Sequence, residues 1–301
     1  MNQIKVLLTG ANGQLGQSIT TLQANYTNIT IIPQSSKELD ITDRAQLINT
    51  LNKHKPSYLV NAAAYTNVDK AESDDNLAII VNGTALEDLA SECKKRAITL
   101  LHISTDYVFS GDQSTPYNPN DICNPINMYG KSKLIGEKLI LNTNPDSFII
   151  RTSWVFSEFK SNFVKTILKL TNEKNSISVV DDQIGRPTYA SDLAKFILDF
   201  IINYKTFDIK NNIIHFANSG NCSWFDFSQK IIEYGHKLKL IHNIPYLQRA
   251  KTHHLNLKAQ RPAYSVLNTA DTEKVFNIKI RNWENALYET LNILADEYHY
   301  E

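Results

Sequence analysis

The chain has 301 residues, 42% hydrophobic and 21% charged, which supplies ample apolar material for a buried core and none of the compositional bias of a disordered segment. Lysine plus arginine and aspartate plus glutamate both number 31, so the formal charge is zero and the basic footprint of a nucleic-acid binder is absent. Three widely separated cysteines, Cys93, Cys123 and Cys222, contain no C-x-x-C pair and argue against a disulfide framework or a structural zinc site.

Ile4 to Leu8 is too short for a membrane span and too soon broken for a secretory leader, so the expectation is a cytoplasmic protein with no membrane partner. The run is apolar without alternation, as in a strand buried on both faces of a parallel sheet. G-A-N-G-Q-L-G follows, with Gly10, Gly13 and Gly16, and opens a helix to about Gln23. Strand, glycine turn and helix in that order let backbone N–H groups and the helix N-terminus approach a pyrophosphate, although such a triad also serves as a plain turn. A second strand, Ile29 to Ile32, should deliver the residue that reads an adenine ribose. Pro33-Gln34-Ser35-Ser36-Lys37 stands there instead of a strand-end acid, and its hydroxyls, Ser35 among them, and its lysine suit a 2′-phosphate, leaning towards NADPH over NADH. An undifferentiated polar loop fits the same residues.

The third strand, Tyr58 to Asn61, runs into Ala62-Ala63-Ala64, small residues that let a ligand lie close to the backbone or simply pack tightly. A long helical pattern then reaches about Arg96. Strand four, Ile98 to Ile103, ends at Ser104-Thr105-Asp106, placing the Thr105 hydroxyl at the same carboxyl edge as the glycine turn. After a Gly-, Pro-, Asn- and Asp-rich loop from Ser110 to Asn127, a helix over Met128 to Asn142 carries Tyr129 and Lys133 on one face. A neighbouring cation stabilises a phenolate, so Tyr129 is a candidate proton donor. An isolated pair of this kind is usually a half-buried ring and a solvated amine; the flanking chain carries the functional reading. The fifth strand is Ser147 to Thr152.

Beyond Ser153 the pattern loosens, with helices near 162–170, 190–203, 223–237 and 283–297 and short strands near 177–180 and 213–216. D-D-Q-I-G-R-P-T at 181–188 and R-P-A-Y-S-V-L at 261–267 are Pro-containing loops whose Arg186 and Arg261 are candidates for bidentate contact with a diphosphate, a role most surface arginines lack. His253-His254 has no metal partner at useful spacing. The expected fold is α/β: a Rossmann-type doubly wound parallel sheet over residues 1–152, joined by elements within about 188–217, and a smaller α/β substrate-binding domain, mainly 153–301, over its carboxyl side.

Together the glycine turn, S-T-D-Y-V-F-S-G, Y-G-K-S-K, V-N-A-A-A-Y-T-N-V-D-K-A-E at 60–72, R-T-S-W-V-F at 151–156 and the two arginine loops resemble the extended short-chain dehydrogenases that act on nucleotide sugars. Within that group the chain is similar to the dTDP-4-dehydrorhamnose reductase family over nearly its whole length. The resemblance implies a dTDP-sugar substrate and hydride transfer from NAD(P)H to the C4 ketone, giving dTDP-L-rhamnose. It makes Tyr129 the acid, Lys133 the residue that holds the nicotinamide ribose and tunes Tyr129, and Thr105 the partner of the reacting oxygen. Asp106 and Trp154 match substrate positions; Gly10, Gly13, Gln14, Leu15, Asp40, Ile41, Ala63, Ala64 and Tyr65 match cofactor contacts. Some members bind magnesium through glutamates at a dimer interface. Gln17-Ser18 and Ser191 occupy those places here, so no metal is expected and a homodimer, though possible, would not be metal-bridged. Two rivals are an epimerase or dehydratase of the same fold that retains NAD, and a cofactor-binding regulatory subunit. S-T-D-Y-V-F and R-P-x-x-S-x-L favour the reductase over the first, and intact Thr105, Tyr129 and Lys133 argue against the second.

Overall fold

The computed structural model describes residues 3–299. Strands β1 (Ile4–Thr9), β2 (Ile29–Gln34), β3 (Tyr58–Asn61), β4 (Thr99–Thr105) and β5 (Phe148–Thr152) are joined by Ile213–His215 from much later in the chain. They form one sheet in the order Ile213–His215, β5, β4, β3, β1, β2, and every pairing is parallel. The strand order reverses between β3 and β1, the point at which open α/β sheets form a ligand crevice beyond their carboxyl ends. The expected doubly wound sheet is therefore present. β2 runs on through Pro33 and Gln34, which were expected to lie in the loop; Pro33 is tolerated because β2 is an edge strand.

Helices α1 (Gln14–Leu22), α2 (Arg44–His54), α3 (Val68–Ala71), α4 (Asp75–Ile79), α5 (Ala85–Lys95) and α6 (Met128–Thr143) connect the first five strands. One face of the sheet packs Val6, Leu8, Val60 and Ile150 against α1 and α8 (Ala190–Asn203); the other packs Leu7, Leu59, Leu100 and Ile149 against α2, α5 and α6. Trimming any of these buried leucines or isoleucines to alanine is expected to cost about 2–5 kcal/mol. Caps fix where the helices start. Asp43 accepts from Gln46 N (3.0 Å) at α2, and Asn127 accepts from Gly130 N (2.8 Å) at α6.

The long helical pattern between β3 and β4 is broken by one π-helical turn, Ile80–Thr84. Its cause is Asn82, whose buried side chain accepts from Tyr65 N (2.8 Å) and donates to Tyr65 O (2.9 Å) and to Ser132 Oγ (3.1 Å). The widened turn holds the segment after β3 against α6.

The remaining helices, α7 (Phe163–Glu173), α9 (Trp224–Lys237), α10 (Ala270–Phe276) and α11 (Trp283–His299), alternate with short strands. α7, α9 and α11 enclose a separate core of Phe156, Val164, Ile167, Phe227, Ile231, Trp283, Leu287 and Leu291. Ser223 and Asp226 close a reciprocal capping box at the start of α9. Among the described residues no helix is long and apolar enough to cross a membrane.

Candidate active site

A cleft of about 680 Å³ opens at the carboxyl edge of the sheet, between the glycine turn and the later part of the chain. Its floor is the β1–α1 turn. Gly10 has φ +68°, and a β-carbon there would stand 2.6 Å from Ala62 C and O and from Ala63 N. The turn thus lies flat against the end of β3, as only glycine permits. Gly13 caps α1 without a side chain, leaving backbone N–H groups and the positive end of the helix dipole on the cleft, a cradle suited to a pyrophosphate. Ala62, Ala63 and Ala64 line the adjoining wall.

The far wall is built by β4, β5 and α6. Thr105 ends β4 and caps the short turn Asp106–Val108; its hydroxyl donates to Asp106 Oδ1 (3.0 Å) and accepts from Tyr107 N (3.2 Å). Because α6 begins at Met128, Tyr129 lies in its first turn, edge-on to Tyr107 with ring centroids 5.7 Å apart. Burial pushes the Tyr129 phenol up to about 12; a hydrogen bond with Thr105 opposes this and the Asp106 charge adds to it. Burial likewise pushes the Asp106 carboxyl up to about 6, against hydrogen bonds with Ser265 and Thr105.

Lys133 also lines the cleft, and its Nζ is engaged on the side of β4. Nζ donates to Ile103 O (2.6 Å) and lies 3.0 Å from His102 Nε2. Burial pulls the lysine itself down to about 8, against the Glu137 charge.

Trp154 lines the cleft beside Val155. It adopts φ +47°, and its indole stacks on Trp224 at 3.5 Å and 9°. A β-carbon on Gly185 would lie 2.5 Å from the same indole, so the glycine of the D-Q-I-G-R-P-T loop makes room for it. Trp224 and the neighbouring Lys160 and Ser161 line the cleft and went unnoticed in the sequence, where α9 reads only as an amphipathic helix.

The structure thus gathers Gly10, Gly13, Gln14, Leu15, Gly16, Ala62, Ala63, Ala64, Thr105, Asp106, Tyr129, Lys133 and Trp154 around one cleft. Gln14 also bridges to the later chain, accepting from Ser157 Oγ and Asn162 Nδ2 (both 2.9 Å). Ser36 reaches the cleft, whereas Ser35 is turned to Glu38, which accepts from its N and Oγ (both 2.7 Å). The loop after β2 therefore does hold an acid, one residue beyond the five read from the sequence. Asp40 accepts from Thr42 N (2.9 Å), Ile41 is buried, and Tyr65 is fixed by Asn82; none of the three lines the cleft. Arg261 is occupied by a bidentate pair with Asp69 (2.8 and 3.2 Å) that ties its loop to α3. Among the described residues, Arg186 meets only neutral partners within hydrogen-bond distance, Asn221 Oδ1 (3.1 Å) and Thr269 Oγ1 (3.2 Å).

A second cavity, about 630 Å³, lies between α8 and α10 and is lined by Phe196, Phe200, Phe216 and Phe276. On its rim Lys195 pairs with Asp199 and Arg281 with Asp192, and Lys279 stands beside them. Among the described residues no group of three or more His, Cys, Asp or Glu is placed to hold a metal ion.

Sheet order, glycine turn and the Thr105, Tyr129 and Lys133 wall together define an extended short-chain dehydrogenase fold. Residues 4–295 match the family model described as the RmlD substrate binding domain. A dTDP-4-dehydrorhamnose reductase of Aggregatibacter actinomycetemcomitans is 38% identical, covering 94% of this chain and 97% of the relative. The spore coat polysaccharide biosynthesis protein SpsK of Bacillus subtilis is 39% identical, over 95% of this chain and 96% of that protein. A solved dTDP-4-dehydrorhamnose reductase of Bacillus anthracis, in complex with NADP, superposes with a TM-score of 0.88 at 34% identity, covering 96% of this chain and 98% of that one. The chain belongs to the RmlD family of NAD(P)-dependent nucleotide-sugar 4-ketoreductases.

Proposed function

We propose that the chain reduces the C4 ketone of dTDP-4-dehydro-L-rhamnose to dTDP-L-rhamnose, with NADPH as reductant and Tyr129 as proton donor. The observation that carries this reading is the gathering of Thr105, Tyr129 and Trp154 with the Gly10 turn around one cleft. The flat Gly10 turn and the uncapped start of α1 fit a dinucleotide pyrophosphate, and the Bacillus anthracis relative is solved with NADP. When bound, the cofactor supplies a hydride to C4 of the sugar.

The remaining steps belong to the chain's own residues. As the C4 carbonyl π bond opens, its oxygen gains charge and takes the proton of the Tyr129 hydroxyl, while Thr105 donates a hydrogen bond to the same oxygen. A phenol pushed up to about 12 is fully loaded at neutral pH, which suits an acid that must carry its proton before the reaction begins. Trp154 and Trp224 exclude water from the reacting carbon. Lys133 holds the nicotinamide ribose, and Gln14, Leu15 and Gly16 complete the cofactor floor. Asp106 and Trp154 orient the sugar. Of the two arginines, Arg186 is the one whose hydrogen-bond partners among the described residues are all neutral and which can therefore be recruited by a diphosphate. Three unbridged cysteines suit a reducing, cytoplasmic compartment, and the Bacillus subtilis relative points to polysaccharide biosynthesis.

The test is NADPH consumption with dTDP-4-dehydrorhamnose as substrate. Wild type is expected to turn over, and Tyr129→Phe to lose about 10²–10⁴-fold in kcat. No turnover by wild type, or full turnover by the variant, overturns the reading.

A further inference from the structure

Lys133 is the last member of a buried polar chain that the mechanism above does not use. Thr9 Oγ1 lies 2.6 Å from Asn61 Oδ1, and the backbone N–H of Ala63 points at the same oxygen (3.3 Å). Asn61 Nδ2 lies 2.9 Å from His102 Nδ1, and His102 Nε2 lies 3.0 Å from Lys133 Nζ, which also reaches Ile103 O (2.6 Å). The members come from β1, β3, β4 and α6, and Thr9, Asn61 and His102 are wholly buried.

The hydrogens in this chain can be directed from its ends. A backbone N–H only donates, so the amide atom it faces is oxygen and the Asn61 NH₂ donates to His102 Nδ1. A ring nitrogen that accepts carries no hydrogen, so a neutral imidazole has its hydrogen on Nε2, aimed at Lys133. Facing an ammonium, that N–H has no acceptor. Facing an amine it meets the lone pair, while one N–H of the amine donates to Ile103 O. The chain is complete only with a neutral lysine. An ammonium instead requires Nε2 as acceptor, moves the ring hydrogen to Nδ1 and turns the Asn61 amide over, setting its NH₂ against the Ala63 N–H.

We propose that His102 is a positioning residue for Lys133, holding the amine through Nε2–H and tying the lysine's protonation to its own tautomer and to the Asn61 amide. The assignment deepens the reductase reading and rests on it for the role of Lys133 in the reaction. Burial holds the imidazole far below its usual range and brings the lysine down to about 8, so Lys133 is the member that changes charge near working pH. Few other charges face the pair. Glu137 on α6 acts on Lys133 and is itself paired with Arg151 of β5; β1 and β3 present only neutral Thr9 and Asn61; at the cleft end, the titrating groups are Tyr129 and Asp106.

The direct test is NMR of the full-length protein carrying isotope-labelled histidine, with the His102 signals identified by their loss in His102→Gln. The ring is expected to be the Nε2–H tautomer above the Lys133 titration and to convert to Nδ1–H below it, without becoming imidazolium. A tautomer that stays fixed through pH 6 to about 10, or a protonated ring, overturns the assignment. A kinetic test uses two variants. In His102→Gln the new amide can donate to Lys133 and accept from Asn61, as the ring does, whereas His102→Glu offers acceptors to both and favours the ammonium. The pH midpoint of the rate assigned to Lys133 should rise by at least about one unit in His102→Glu and by less than half of that in His102→Gln. Equal midpoints count against the proposal, and the wild-type spectrum decides should the glutamate variant not fold. Because the spectrum needs no substrate, a titrating tautomer in a protein without reductase activity indicts the functional reading alone; a fixed tautomer in an active enzyme indicts His102 alone.

Discussion

Lys133 and Glu137 stand one turn apart on α6, both wholly buried, and the fold treats them in opposite ways. Glu137 is met by three donors: Arg151 donates through Nε (3.0 Å) and Nη2 (2.7 Å), and Ser104 donates its hydroxyl (2.5 Å). Arg151 in turn reaches Pro119 O (3.0 Å) and lies over the Phe109 ring at 5.1 Å. Among the described residues Lys133 has no carboxylate partner within hydrogen-bond distance, only a carbonyl and an imidazole. Burial works against the Arg151 charge, yet Glu137 and Cys123 together outweigh it and hold the guanidinium above its usual range, whereas Lys133 is drawn down. A buried charge with a full set of partners is scaffold, pinning α6 to β4 and β5. One left short of partners has its pKa drawn towards the working range and is available for chemistry.

The sharpest way to break this contrast is Glu137→Gln, which strands the Arg151 guanidinium in the core. It should cost about 3–5 kcal/mol in urea unfolding, while Glu137→Leu combined with Arg151→Met recovers most of that loss. A single-variant cost below about 1 kcal/mol would remove the distinction between the two sites.

Lys133→Met should act in the other direction, raising stability at pH 7 by roughly 1–3 kcal/mol while reducing activity. The sign follows from linkage. With the folded pKa at about 8 and the unfolded one near about 10.4, the folded state binds fewer protons across that window, so wild-type stability rises with pH there. The burden is full below 8 and lifts as the pH approaches the unfolded value. The gain from methionine, read as a difference in Tm, should therefore shrink from pH 7 to pH 10.

Asp106→Asn extends the same logic to an acid. The folded pKa of about 6 lies above the unfolded value near about 3.9, so the folded state holds more protons between them and stability falls as pH rises through that interval. Asparagine should add on the order of 1 kcal/mol at pH 7 and nothing at pH 4; equal gains at both would show that the burial of the charge is not the cause. The smallest effect is expected for Arg261→Gln. Its pair with Asp69 is partly solvated, and denaturation should register a loss of about 1 kcal/mol or less.

How much of this was legible in the sequence depended on whether the cause was local. Unbroken apolar runs announced the strands, and the spacing of Gly10, Gly13 and Gly16 announced the turn because the approach to Ala62 is decided by backbone alone. Tyr129 and Lys133 were visible as a pair, but the direction of the lysine was not, since His102 lies 31 positions upstream on another element. The Asn61 to His102 and Thr9 to Asn61 contacts, 41 and 52 positions apart, exist only once β4, β3 and β1 are neighbours in register. The π turn likewise depends on Asn82 meeting Tyr65 and Ser132, and nothing in a helical period reports a side chain turned inward. Arg261 looked free because Asp69, its partner, is 192 positions away.

The stacked pair of Trp154 and Trp224 has an optical consequence. Two parallel indoles 3.5 Å apart share their excited states, so they act as a coupled chromophore with its own circular-dichroism signature and a quenched emission. Gly185 supplies the slot that keeps the first indole flat, and the pair lines the cleft, whereas Trp283 is buried in the core. A ligand that slides in beside Trp154 must disturb the coupling, and the protein therefore carries a label-free reporter of what enters its cleft.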